Sequence, residues 1–266
     1  MNVSEHNKNI VLAKKLLQKK YRDLEGKYLV EGAKLVKEVL QRNQKIDYLI
    51  VREDCVDKYC DILCHKEYFV VSLKTMEDLV DTVTNQGILA VVNKPTLPMR
   101  APLSNALVLE HVQDPTNVGA ILRTAAALGY NDVYMIQCAD PYSPKCIRAG
   151  MSSQFCLNIF EGDSDEILSY VKQTCLLICA DMDGKNLYSC NVSDRHAILF
   201  GNEGNGVSDT LKQRCDMTVA IPMQNEIESL NVSVSAGILM YSLSRVKTSY
   251  STSVFVSVIP SEYGMG

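Results

Sequence analysis

From residue 106 to residue 246, short β-rich runs alternate with segments of helical apolar spacing, and this alternation restricts the fold more than any single residue does. Strand-type runs fall at 106–111, 132–136, 155–159, 176–180, 197–201 and 218–221, while 117–128, 165–173 and 231–246 carry helical periodicity. Such a chain builds a mainly parallel sheet with helices on both faces. A smaller α/β pattern precedes it, with helical spacing at 10–19, 32–40 and 73–82 and β-rich runs at 48–51, 68–71 and 88–92. Pro95, Pro98 and Pro102 interrupt regular structure between the two. The expected division is an N-terminal α/β domain at 1–97, a larger α/β domain at 103–247 and a Ser-rich tail at 248–266.

The 266 residues are ample for a buried core, and 47% apolar with 22% charged residues is a globular composition. No run of about 18 apolar residues is present to span a bilayer. The first residues lack the apolar segment of a signal peptide, so a cytoplasmic protein without membrane partners is expected. In that compartment the ten cysteines are expected as thiols. Cys55, Cys60, Cys64 and His65 match neither a C-x-x-C pair nor a zinc-finger spacing, and no metal is expected. Net charge is −4, yet residues 1–37 hold nine basic against four acidic residues. That basic face suits local phosphate contact, and a solvated helix with ordinary surface lysines fits the pattern equally well.

Three segments carry candidate chemistry. In Asp114-Pro115-Thr116-Asn117-Val118-Gly119, three polar residues suit a helix N-cap, with Val118, Ile121, Leu122, Ala125 and Leu128 as the apolar stripe behind them. Arg123 lies opposite that stripe, one turn after Gly119, and its guanidinium is expected to pass over the bare glycine toward the loop. The second segment, Phe200-Gly201-Asn202-Glu203-Gly204-Asn205-Gly206, is a strand end entering a loop with one carboxylate. Its glycine spacing is not G-x-G-x-x-G, which excludes the dinucleotide fingerprint. The third runs from Ile221-Pro222-Met223 to Ser229-Leu230-Asn231-Val232-Ser233. Singly, each is compatible with an ordinary loop. The helix that follows is apolar on both sides, Val232, Ala236, Leu239, Met240 and Leu243 against Val234, Ile238 and Tyr241. A second copy of the chain is the expected cover, hence a homodimer.

Together these segments resemble the SpoU (TrmH) family of RNA ribose 2′-O-methyltransferases, within the SPOUT superfamily. The motifs are N-x-G-x-x-x-R at Asn117, Gly119 and Arg123, G-x-E-x-x-G at Gly201, Glu203 and Gly206, and I-P-M followed by S-L-N-V-S. The resemblance covers about 103–246; upstream, Tyr28-Leu29-Val30-Glu31-Gly32 and Gln86-Gly87-Ile88-Leu89-Ala90-Val91-Val92 look like the family's RNA substrate-binding domain. It implies an α/β trefoil-knot methyltransferase domain, a rare exception to un-knotted topology. It also implies S-adenosylmethionine held mainly by main-chain groups at Gly201, Ile221 and Leu230. The reaction implied is attack of a ribose 2′-hydroxyl on the methyl group. The family assigns Arg123 to activating that hydroxyl; a guanidinium is a poor base, which favours orientation and phosphate gripping. Asn117, Glu203 and Asn231 would order the site, assisted by Ser229. The implied substrate is structured RNA, with 23S ribosomal RNA ahead of transfer RNA, and the alternative to an enzyme is a non-catalytic RNA-binding or ribosome-assembly factor. Ser152-Ser153-Gln154 and Ser242 depart from the family's usual residues, outside the motifs.

Overall fold

The computed structural model describes residues 3–64, 66–82, 85–192, 195–224 and 229–244. The expected tail, His65 and the end of the closing helical segment lie outside them. The N-terminal half contains α1 (Lys8–Lys15), α2 (Lys19–Glu25), β1 (Lys27–Glu31), α3 (Ala33–Gln41), β2 (Ile46–Arg52), α4 (Cys60–Leu63), β3 (Tyr68–Val71), α5 (Leu73–Glu77) and β4 (Ile88–Asn93). Its sheet has the order β1-β4-β2-β3, antiparallel except for the β2/β3 pair. The strand centres are apolar because both faces are covered. Tyr28, Val30, Leu49 and Val51 meet Leu35, Val36 and Val39 of α3 on one side, and Leu29, Ile50 and Val91 meet Ile10, Ala13 and Met76 on the other.

The C-terminal half runs β5 (Ala106–Glu110), α6 (Pro115–Leu128), β6 (Asp132–Ile136), α7 (Pro144–Gly150), β7 (Asn158–Glu161), α8 (Ser164–Val171), β8 (Leu176–Asn186), β9 (His196–Phe200), α9 (Asp209–Lys212), β10 (Met217–Ala220) and α10 (Val232–Leu243). Its six strands are all parallel, in the order β10-β8-β9-β5-β6-β7. Leu107, Leu109, Ile198 and Phe200 face α6 and α10; Val108, Tyr134 and Leu199 face α8. Burying each large aliphatic side chain contributes roughly 1.5–3 kcal/mol. Among the described residues no helix is long and apolar enough to cross a membrane.

The sequence-based elements differ from the observed ones where long-range polar contacts intervene. The helix expected over 10–19 breaks after Lys15, and the freed carbonyl of Leu16 accepts from Arg22 Nη1 at 2.7 Å. The helix expected over 73–82 stops at Glu77. Beyond it Asp81 pairs with Arg148 and the Thr82 hydroxyl donates to Glu31, contacts that pull the chain out of helical geometry. The strand expected at 155–159 begins only at Asn158, because Met151 and Ser152 adopt left-handed φ of 47° and 64° and Ser153–Cys156 forms a 3₁₀ turn. Strand β8 runs to Asn186, six residues past its expected end. Helices α2, α4, α7 and α9 and strand β1 have no counterpart among the expectations.

Helix α7 fills the seam between the two halves. Tyr142 and Ile147 pack in the N-terminal core, and the Tyr142 ring lies 4.9 Å from that of Tyr28. Arg22 Nε donates to Asp140 Oδ2 at 2.6 Å, with the side chains only 4% and 5% exposed. Asp140 Oδ1 accepts from the Tyr142 amide at 2.8 Å, completing the enclosure of that carboxylate.

Candidate active site at the strand ends

Three loops leave the C-terminal ends of β5, β9 and β10, the edge at which open parallel sheets place ligands. Each carries one motif. The first is set by Asp114, which caps α6 by accepting from the Thr116 amide at 2.9 Å; that amide, then the Lys145 ammonium, holds its carboxyl below the usual range. Pro115 occupies the first turn, where its missing N–H costs nothing. Asn117 is thereby placed in the first turn of α6, half-buried, rather than at the cap.

The third motif has the same logic. Asn231 caps α10, its Oδ1 accepting from the Ser233 amide at 2.9 Å and the Ser233 hydroxyl at 2.6 Å. Its Nδ2 then donates to Asn117 Oδ1 at 3.1 Å, and Asn117 Nδ2 donates to Glu203 Oε1 at 3.0 Å. Both ends of the Asn117 amide are used, which fixes its orientation. One polar line, Glu203–Asn117–Asn231, therefore joins all three segments.

The second motif is a closed turn. Asn202 and Gly206 exchange two main-chain hydrogen bonds of 2.9 Å, and Asn202 Oδ1 accepts from the Gly204 amide at 2.8 Å. Asn202 Nδ2 donates to the carbonyl of His111 at 2.9 Å, tying the turn to the end of β5. A Cβ at Gly201 would lie 2.1 Å from the Gly206 carbonyl group, so only glycine fits there; Gly206 itself has φ +67°. Asn202 was not singled out from the sequence, although asparagine entering a glycine-rich loop is a recognisable turn former.

Arg123 is exposed on α6, and its side chain makes no hydrogen bond or ion pair with another described residue. Its expected track over Gly119 is not open. A Cβ at Gly119 would lie 2.6 Å from the Cys146 carbonyl oxygen and 2.8 Å from the Gly150 amide, so the glycine serves close packing of α6 on α7. Ile221 is partly buried against the core, and Met223 and Leu230 present exposed apolar side chains at the rim. Ser229 is exposed as well. The site thus offers bare main chain, apolar side chains and one carboxylate. Burial pushes the Cys138 thiol up to about 11 and the Cys146 thiol up to about 12, so neither supplies a thiolate near neutral pH.

Away from this edge, Cys55 is buried while Cys60 and Cys64 are exposed. The basic N-terminal face is smaller than its composition implied. Arg22 is buried in the seam, and Lys14, Lys19, Lys27 and Lys37 pair with Asp78, Glu161, Asp47 and Asp61.

Comparison with known proteins decides the family. Residues 104–241 match the model of the SpoU rRNA Methylase family, and residues 7–90 match that of the MRM3-like substrate binding domain. The chain belongs to the SpoU rRNA methylase family. Among its relatives, the Bacillus subtilis 23S rRNA (guanosine(2553)-2′-O)-methyltransferase RlmP is 29% identical over 246 residues, spanning 90% of this chain and 97% of that one. A crystal structure of an RNA 2′-O ribose methyltransferase superposes with a TM-score of 0.76 at 28% identity, covering 91% of this chain and 97% of the other. The SpoU methyltransferase AviRb from Streptomyces viridochromogenes, solved in complex with the cofactor AdoMet, has the same fold, with a TM-score of 0.82 at 23% identity over 89% and 97% of the two chains. This SpoU member therefore has the SPOUT α/β fold in its C-terminal half and a smaller α/β unit before it.

Proposed function

We propose that this SpoU family member methylates a ribose 2′-hydroxyl in structured RNA, with S-adenosylmethionine as donor and 23S ribosomal RNA as substrate. The observation that carries the reading is the Glu203–Asn117–Asn231 line, which assembles three sequence-distant motifs at one sheet edge while Arg123, on the same helix as Asn117, stays exposed.

The donor fits the groups present. Gly201 at the end of β9 admits no side chain, and Ile221 and Leu230 add apolar surface beside unencumbered main chain. Such a lining suits a nucleoside and a methionine chain, and these three residues would hold it. When bound, S-adenosylmethionine supplies a methyl group on a cationic sulfur. Arg123 then grips the phosphate next to the target ribose and aims its 2′-hydroxyl, a task for a forked, permanently charged donor. Asn117 and Asn231 keep the Glu203 carboxylate in register with that hydroxyl, so alignment rather than a strong base carries the rate.

Ribosomal RNA is favoured over transfer RNA by the N-terminal match to a substrate-binding domain and by the name of the Bacillus relative. In this reading the domains divide at 1–97 and 103–247, the protein works in the cytoplasm, and it acts as a homodimer. Val234 and Tyr241 on α10 are 50% and 70% exposed, an apolar face suited to a second copy. A monomeric mass by light scattering at micromolar concentration would count against the dimer. The enzyme reading is tested with Arg123→Ala, which is expected to lower turnover by about 10²-fold or more while calorimetry still records S-adenosylmethionine binding. Near-parental turnover by that variant removes Arg123 from the mechanism. Absence of cofactor binding to the parent would favour the non-catalytic RNA-binding factor.

A further inference from the structure

Glu110 lies outside all three motifs, yet it is buried at the end of β5 in the middle of the sheet, with 5% of its surface exposed. It follows Leu109, which pairs with Phe200 of β9, so the next step along the register brings it alongside Gly201. Its Oε2 accepts from the amide of Ser208 at 2.8 Å. The following residue, His111, holds a left-handed φ of 53° and takes the Asn202 amide on its carbonyl at 2.9 Å. Two successive residues at one strand end thus grip both ends of the 202–208 turn, from whose tip Glu203 reaches Asn117.

No basic side chain among the described residues forms an ion pair with Glu110. A buried carboxylate without a counter-ion is unfavourable unless hydrogen-bonded, and a hydrogen bond to an ionised acceptor is stronger than one to a neutral acceptor. The cluster on this face of the sheet, with Val108, Val207 and Leu211 and the Cys215 thiol beside it, holds no basic group. What the carboxylate does hold is the exit of the turn, at the residue that caps α9.

We propose that Glu110 is a positioning residue for the methyl-transfer site: it fixes the exit of the Gly201–Gly206 turn as Asn202 fixes the entrance, and so sets where Gly201 and Glu203 stand relative to Asn117. This inference rests on the methyltransferase reading. Glu110 touches no reacting atom in it and acts through the turn.

The test compares Glu110→Ala, Glu110→Gln, Asn202→Ala and the Glu110→Ala/Asn202→Ala double variant in the full-length protein. Readouts are kcat and RNA KM for methylation and, independently of activity, S-adenosylmethionine affinity by calorimetry. Loosening the turn is expected to cost Glu110→Ala about 10-fold to 10²-fold in kcat, the scale of misplacing a site from outside it. Cofactor affinity should weaken and RNA KM stay within about twofold, since the N-terminal unit is untouched. Glu110→Gln keeps an acceptor for the Ser208 amide and should recover most of the loss. Because both residues restrain one turn, the double variant should lose less than the product of the single losses. If Glu110→Ala does not fold, Glu110→Gln and Asn202→Ala still decide, by milder versions of the same kcat and affinity pattern. Parental kcat and cofactor affinity in the alanine variant, or a defect confined to RNA KM, would overturn the proposal. An inactive parent protein would instead sink the methyltransferase reading.

Discussion

Two polar networks join distant parts of this chain, and they differ in their access to solvent. At the seam, Arg22 and Asp140 are almost fully enclosed, and the Leu16 carbonyl and the Tyr142 amide complete their hydrogen bonding. At the rim, Glu203, Asn117 and Asn231 join residues almost as far apart in sequence, but Glu203 and Asn231 are exposed. Similar side chains therefore do different work. A charge satisfied internally fixes one half of the molecule on the other and has nothing left for a ligand. An open line of amides and a carboxylate keeps its geometry and can still meet a substrate.

The comparison predicts that seam substitutions change stability and rim substitutions change turnover. The largest effect is expected from Asp140→Asn, which leaves Arg22 buried without its counter-ion and should cost about 3–5 kcal/mol in denaturant titrations. A loss below about 1 kcal/mol would mean the seam is not closed as described. At the rim, Asn117→Asp is nearly isosteric but sets a second carboxylate against Glu203. Turnover should fall by about 10²-fold, with stability changed by less than about 1 kcal/mol because the contact is exposed. A matching loss of stability would erase the distinction between the networks.

Smaller effects probe the seam further. Ser152 combines φ +64° with a buried hydroxyl that has no hydrogen-bond partner among the described residues. Ser152→Gly should stabilise the protein by about 1 kcal/mol, measured by thermal unfolding, since glycine removes the left-handed strain. Burial first holds the Glu31 carboxyl above its ordinary value, against the lowering effects of the Thr82 hydrogen bond and Arg148. A raised folded pKa makes ionised Glu31 unfavourable to folding. That penalty is absent below the ordinary glutamate range and grows as pH rises through the folded pKa. Glu31→Gln should accordingly be the more stable form at pH 7, the two proteins converging as pH falls below about 4. A gap that widens on acidification would contradict the assignment.

The rim was far more legible in the sequence than the seam. Gly201, Gly206, Asn231 and the Asp114 cap are residue types whose turn and capping roles follow from local backbone geometry, and a local signal survives in sequence. The alternation of strands and helices was equally readable, because period-2 and period-3.6 patterns are local too. Arg22, by contrast, looked like part of a basic surface, since nothing nearby announces that its partner lies 118 residues away. The same limit hid α7, a seven-residue helix whose identity comes from packing on Gly119 and on the N-terminal core. Gly119 is expected from the sequence to leave a track for the Arg123 guanidinium; α7 fills that space instead, and no local signal places a second helix there.

The central claim is that these three motifs form one site acting on a ribose. Its most direct test is to incubate the purified protein with S-adenosylmethionine bearing an isotopically labelled methyl group and 23S ribosomal RNA, then locate the label by nucleoside and fragment mass spectrometry. Label is expected at one position in a 2′-O-methylated nucleoside, lost on Arg123→Ala. Label on a base, label undiminished by Arg123→Ala, or no transfer from the parent protein would contradict it.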